Sequence, residues 1–238
     1  MEWVQILTRQ RTRLMGRLFM VMAFLLVVNI VLQVIRYRTG HDYLLGLLRL
    51  FDVNEEANIP TLFSTLLLLS AGLLLAVIAS GERARGGRDV GRWKLLSVVF
   101  LFLAVDESAM LHELFITPGH ELLGRDVPGV IFYAWVIPYF LLVLGLMAYL
   151  GGFVLRLPTA IRNQFILAAV LFVGGSLGVE LFEGIQDKWH GEHTPIYALL
   201  ASIEEGMEMA GVIVFIGGLL RYIEASGLVA MRPRADTA

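Results

Sequence analysis

Residues 60–80 read PTLFSTLLLLSAGLLLAVIAS, a stretch without one charged side chain. Wound as an α-helix at 1.5 Å per residue, it would be about 31 Å long, which matches the hydrocarbon core of a bilayer. Asn58 and Pro60 at its front are the residue types of a helix N-cap and an early-turn proline.

Five further apolar stretches lie near 15–36, 95–115, 129–152, 164–186 and 196–221. Breakers separate them: Gly40, Gly81 with Gly86-Gly87, Pro118-Gly119 and Pro128-Gly129, Pro158, and Gly191 with Pro195. The sequence therefore predicts an all-α polytopic membrane protein, one domain over 1–238, built as a six-helix transmembrane bundle. The apolar run from Leu18 to Ile35 follows four arginines, as in a secretory signal, but it is longer than a signal core. No small-x-small site follows it, so it reads as an uncleaved first span. Residues 43–51 are too short to span and apolar enough to lie in the interface as a short helix.

Composition agrees. Of 238 residues, 57% are hydrophobic and only 17% charged, where a soluble domain carries about 25% charged residues. Mean hydropathy is +0.73. No basic face suggests nucleic acid. The chain has no cysteine, which excludes disulfides, thiolate ligands, Fe–S clusters and cysteine nucleophiles. A metal would be held by oxygen and imidazole nitrogen.

Orientation follows from Lys and Arg. Fourteen of the 19 fall on the side of both termini and five on the other. The positive-inside rule predicts both termini in the cytoplasm of an inner-membrane protein. The acids segregate oppositely. Asp52, Glu55, Glu56, Asp106, Glu107, Glu113, Glu180, Glu183, Asp187, Glu204, Glu205 and Glu208 fall in the outer, periplasmic half or near mid-membrane, as do all five histidines.

Helical spacing sorts them. Glu180, Glu183 and Asp187 lie within about 60° of one another, with Ser176 extending the stripe inward. Glu204, Glu205 and Glu208 lie within about 100° of arc, and Asp106 and Glu113 nearly eclipse. His112 points elsewhere. Gly174 and Gly178 form a G-x-x-x-G on the face opposite the fifth span's acids, where helices approach closely. An ionised carboxylate in the bilayer core costs at least about 2.5–3.5 kcal/mol, and these spans supply no interior Lys or Arg. Protonation, a hydrated cavity, a bound cation or an arginine folding in from a loop each resolve the conflict. Carboxylates on facing helices are how bundle metal sites are built. Oxygen and imidazole donors suit a divalent metal such as Zn, Fe or Mn.

The expected metal ligands are Glu107, Glu113, Glu180, Glu183, Glu204 and Glu208, with His112, Asp106 and Glu205 as proton-handling catalytic groups. Asp52, Glu55, Glu56 and Asp187 read as helix-end acids at the water interface, and His41, His120, His190 and His193 as solvated loop residues. No Glu-x-x-His, His-Glu-x-x-His, phosphate loop or G-x-S-x-G occurs. Nothing in the spans marks haem, flavin or retinal.

Glu55-x-x-Asn58-x-x-Thr61 opens a span, and Asp106-Glu107 precedes Met110. These stretches resemble the metal-dependent membrane hydrolases that include alkaline ceramidases and adiponectin-type receptors. The resemblance covers some 15 residues and implies zinc-dependent hydrolysis in a seven-span fold. The family's late His-x-x-x-His is replaced here by Glu204-x-x-x-Glu208, so the resemblance implies zinc chemistry that is altered or lost.

Three functions fit. The first is a membrane-embedded metalloenzyme acting on a lipid-like or lipid-soluble substrate from within the bilayer. The second is a proton- or cation-coupled carrier or channel subunit. The third is a non-catalytic subunit of a membrane complex.

Overall fold

The computed structural model describes residues 2–41, 43–111, 114, 128–129, 132–133 and 135–228. Every regular element among them is helical. α1 (Glu2–Arg9) leads into α2 (Arg11–Thr39), which ends where Gly40 adopts φ 70 and its N–H returns to the Arg36 carbonyl. A single 3₁₀ turn (Leu44–Gly46) and the short α3 (Leu47–Phe51) come next. The Asn58 side chain then caps α4 (Ile59–Ala84), accepting from the Thr61 N–H at 3.1 Å. Its amide also donates to the carbonyls of Asp52 at 2.6 Å and Glu55 at 2.7 Å, so one residue starts the helix and fixes the preceding loop.

α5 spans Val90–Ala109 and α6 spans Val136–Leu155. α7 (Thr159–Val173) continues through a π-helical segment, Gly174–Val179, into α8 (Glu180–His190). α9 (Pro195–Ser226) is the last, with Thr194 accepting from the Tyr197 N–H as its cap.

The two largest departures from the hydropathy reading each shorten a helix. The third long helix stops at Ala109 rather than 115, because Met110 turns left-handed at φ 53. The fourth begins at Val136 rather than 129.

α9 is the axis of the bundle, packed against α2, α4, α7, the π segment and α8. Ile213, Leu219 and Leu220 are wholly buried along it. Gly211 sits where a Cβ would lie 2.8 Å from the Phe172 backbone nitrogen, and only a glycine admits α7 this closely. α4 and α5 form a hairpin in which the Ser97 hydroxyl donates to the Gly72 carbonyl at 2.9 Å. At the basic end, Trp93 of α5 meets Phe153, Phe165 and Tyr222 edge-on or tilted, joining α5 to α6, α7 and α9.

The outside of the bundle is apolar. Met20, Val98, Leu141, Met147 and Val170 are each more than 60% exposed, on α2, α5, α6 and α7. A soluble monomer does not present apolar side chains on every face. Among the described residues four helices, Arg11–Thr39, Ile59–Ala84, Val136–Leu155 and the continuous Thr159–His190, are long and apolar enough to cross a membrane. The chain is an all-helical membrane protein whose apolar helices are suited to contact with lipid.

Candidate carboxylate site

Near the end of the bundle that carries Asp52 and Gly191, α8 and α9 bring three acids together. Glu180 and Glu183 of α8 and Glu204 of α9 each place one carboxylate oxygen within 4.8 Å of the others. Glu183 is 2% exposed, and its Oε1 has no hydrogen-bond partner among the described residues. No ion pair joins Glu183, Glu204, Glu205 or Glu208 to a Lys or Arg among the described residues. If fully ionised, each pair at that spacing would repel by at least about 3 kcal/mol at an effective dielectric of 20. Such a group needs protons, hydrogen-bond donors or a cation to persist.

The π segment makes this convergence possible. Its sequence, GGSLGV, offers three glycines and little side-chain bulk. Each residue inserted into an α-helix rotates the rest of the helix by about 100°. The uniform spacing used to extend the acidic stripe back to Ser176 therefore fails across it. Ser176 instead donates to the Phe172 carbonyl at 2.9 Å. The close approach belongs to Gly175, which stands beside the Gly174/Gly178 pair. A Cβ on Gly175 would lie 2.9 Å from the Glu204 carbonyl oxygen and 3.1 Å from Glu208 Cγ. Gly175 and the acids of α8 thus address the same helix, α9. Gly178 faces open space, so the close approach runs through Gly175 rather than through the Gly174/Gly178 pair.

The remaining predicted residues spread from this centre. Glu205 and Glu208 interact electrostatically most strongly with Glu107 of α5, with weaker influence from Glu183. Asp106 is buried and accepts from the Tyr139 hydroxyl at 3.1 Å. Glu208 also lies against the π segment, its Cγ 3.1 Å from where a Cβ on Gly175 would stand. His112 and Glu113 lie outside the described residues.

A tyrosine set that sequence reasoning passed over surrounds the acids. The Tyr133 hydroxyl donates to Asp187 at 2.9 Å and meets the Tyr197 hydroxyl at 3.2 Å. Tyr197 is buried beside the Glu183 carboxyl. Tyr197 stands seven residues before Glu204, two turns along one face, so its membership was readable. Behind the site, Asn29 of α2 is wholly buried and donates to Ser202 of α9 at 2.9 Å. Asn29 and Gln33, four apart in an otherwise apolar run, were the corresponding signal on α2.

Glu208 also lines a cavity of about 10 Å³ with Ser64, Leu67 and Phe172, space for about one water. The Ser64 and Thr65 hydroxyls nearby have no hydrogen-bond partner among the described residues.

Fold and site define a class: an all-helical membrane protein holding a carboxylate group between packed helices. The chain belongs to the family described as Domain of unknown function (DUF8692), whose model matches residues 18–223. That match begins inside α2, ends inside α9 and contains every acid of the site. No curated protein and no solved structure matches the chain.

Proposed function

We propose that this is a six-span inner-membrane protein, both termini cytoplasmic, that holds a divalent metal (Zn, Fe or Mn) at Glu180, Glu183 and Glu204 toward its periplasmic half. On this reading it is a membrane-embedded metalloenzyme acting on a lipid-like or lipid-soluble substrate. The observation that carries the reading is the convergence of three carboxylates from two helices around the buried, unpartnered Oε1 of Glu183.

The six-span count adds α5 and α9 to the four membrane-length helices. α9 packs against helices whose outer faces are apolar, which supports counting it in the same slab. The segregation of 14 basic residues to one side supports the orientation.

Carboxylate oxygens are hard donors suited to such ions. A divalent cation here supplies Lewis acidity toward a carbonyl or phosphoryl oxygen, or toward water. Glu205 and Glu208, partly buried next to the metal ligands, are placed to hold or move protons beside it. The ceramidase-like resemblance offers hydrolysis as one such reaction. Its Asn58, however, is fully engaged as a cap and loop anchor.

The test is metal analysis of the purified full chain. About one equivalent of divalent metal is expected, falling below about 0.2 in Glu183→Gln and Glu204→Gln. A metal-free wild type, or variants that retain the metal, overturns the reading. A second reading, a proton- or cation-coupled carrier, is favoured by the Ser64 hydroxyl, which has no hydrogen-bond partner among the described residues and shares a small cavity with Glu208.

A further inference from the structure

Three acids at the basic end of the bundle are already engaged. Glu82 accepts from the Tyr222 hydroxyl at 3.0 Å, and Asp89 pairs with Arg156 at 3.1 Å and with Arg92. Glu224 of α9 stands 3.9 Å from Arg11 of α2. Arg9, Arg13 and Arg17 differ. All three are exposed, and none makes an ion pair or a hydrogen bond among the described residues. Arg9 closes α1, which the wholly buried Val4 pins to the bundle, so a third cation is held at this end.

Arg13 and Arg17 stand one turn apart on α2, about 40° apart around its axis. Met20, Phe24, Val27 and Val31 continue the same stripe within about 80° of arc, and all four are exposed. The buried residues of α2, Leu25, Asn29, Leu32 and Gln33, lie on the other side. The outward stripe is therefore cationic at its start and apolar beyond. From Arg17 to Val31 it runs about 21 Å, more than the depth of one leaflet's hydrocarbon, about 15 Å. Gly16 lies beside the two arginines, and a Cβ there would meet nothing within 4 Å. Bare backbone at that point leaves room for a headgroup against the helix.

A phosphodiester fits a guanidinium in bidentate geometry and supplies the missing negative charge. Arginine stems lie along apolar surface while their heads reach the interface, where lipid phosphates sit. A zwitterionic headgroup would bring its own ammonium to a place already doubly positive. We propose that Arg13, Arg17 and the open backbone at Gly16 bind an anionic glycerophospholipid, its phosphate between the guanidiniums and one acyl chain along Met20, Phe24 and Val27. The site lies at the end of the bundle opposite the carboxylates and does not depend on the metal reading.

The experiment is native mass spectrometry of the full chain released from micelles holding equal amounts of phosphatidylglycerol and phosphatidylcholine. Wild type should retain phosphatidylglycerol about 5-fold or more over phosphatidylcholine. Arg13→Gln/Arg17→Gln should weaken its retention about 25-fold, from roughly 5-fold per arginine near a lipid surface. Arg83→Gln/Arg88→Gln removes the same charge from exposed arginines at the end of α4 and in the loop after it, and should retain the lipid as wild type does. Gly16→Leu keeps the charge, fills the bare backbone and should cut retention severalfold. All the substituted positions are exposed, so the fold is expected to persist. Equal losses in the two double variants would reduce the attraction to a field of the whole basic end and overturn the site. Equal retention of the two lipids, or a wild-type-like Arg13→Gln/Arg17→Gln, would overturn it too. Wild-type retention in Gly16→Leu would overturn the placement of the headgroup. Displacement of the lipid by millimolar inorganic phosphate would make a soluble anion the occupant and overturn the lipid assignment.

Discussion

Replacing Gly175 by alanine isolates the contact that sets the site's geometry. The added Cβ would stand 2.9 Å from the Glu204 carbonyl oxygen, 3.1 Å from Glu208 Cγ and 3.2 Å from Met207 Cβ, where ordinary contact begins at 3.4 Å. Two of the three obstructions are a backbone oxygen and a Cβ, so rotamer changes do not relieve them. α9 must move away from the π segment by about 0.5 Å, the difference between those distances. Overpacking of this kind costs about 1–3 kcal/mol. For a chain of this size that lowers the melting temperature by roughly 2–4 °C per kcal/mol. The same displacement carries Glu204 away from Glu180 and Glu183. Disturbing the support of a metal ligand costs about 10–100-fold in affinity.

The internal control is Gly178→Ala, three residues on, where an added Cβ meets nothing within 4 Å. Alanine there gains helix propensity of up to about 1 kcal/mol and should leave Mn²⁺ affinity unchanged. Scanning fluorimetry in detergent and Mn²⁺ titration of both variants give the comparison. Gly178→Ala losing as much stability or affinity as Gly175→Ala would refute the reasoning. So would a Gly175→Ala protein indistinguishable from wild type in both assays.

Asn29→Ala should destabilise the bundle by about 1–3 kcal/mol, because it strips the buried Val53 N–H and Ser202 of their partner across α2 and α9. Val27→Ala, on the exposed side of the same helix, should shift thermal stability by less than about 0.5 kcal/mol. If the chain is a carrier, proton or cation flux into liposomes should fall severalfold in Glu204→Gln and Glu208→Gln. Flux equal to wild type in both removes that reading and leaves the metal site untouched.

Much of the architecture was readable along the chain, because a bilayer imposes a length and a polarity on each helix separately. Residues 60–80 satisfy both whatever surrounds them, and Asn58 with Pro60 marks their start through bonds that are local in sequence. The same locality made Glu180 and Glu183 legible as one face of α8. Long-range consequences were not readable. Uniform helical spacing carried the third span on to Glu113, whereas Met110 turns left-handed, a backbone choice that apolar content does not report. It also placed the close helix approach at Gly174 and Gly178, whereas Gly175 makes it, against α9. Glu204, Glu205 and Glu208 read as a single group. That Glu204 is the one whose carboxylate meets Glu180 and Glu183 within 4.8 Å depends on how α8 packs on α9.

The sequence by itself determined that the chain is helical, membrane-bound and acid-rich at one end, because hydropathy and charge act residue by residue on a medium of fixed thickness. Only the tertiary structure decided which oxygens meet, that Gly175 rather than Gly178 brings the helices together, and that Arg11 reaches Glu224 while Arg13 and Arg17 stay exposed. Those outcomes depend on contacts between segments far apart in the chain, and no local rule of spacing or polarity encodes them.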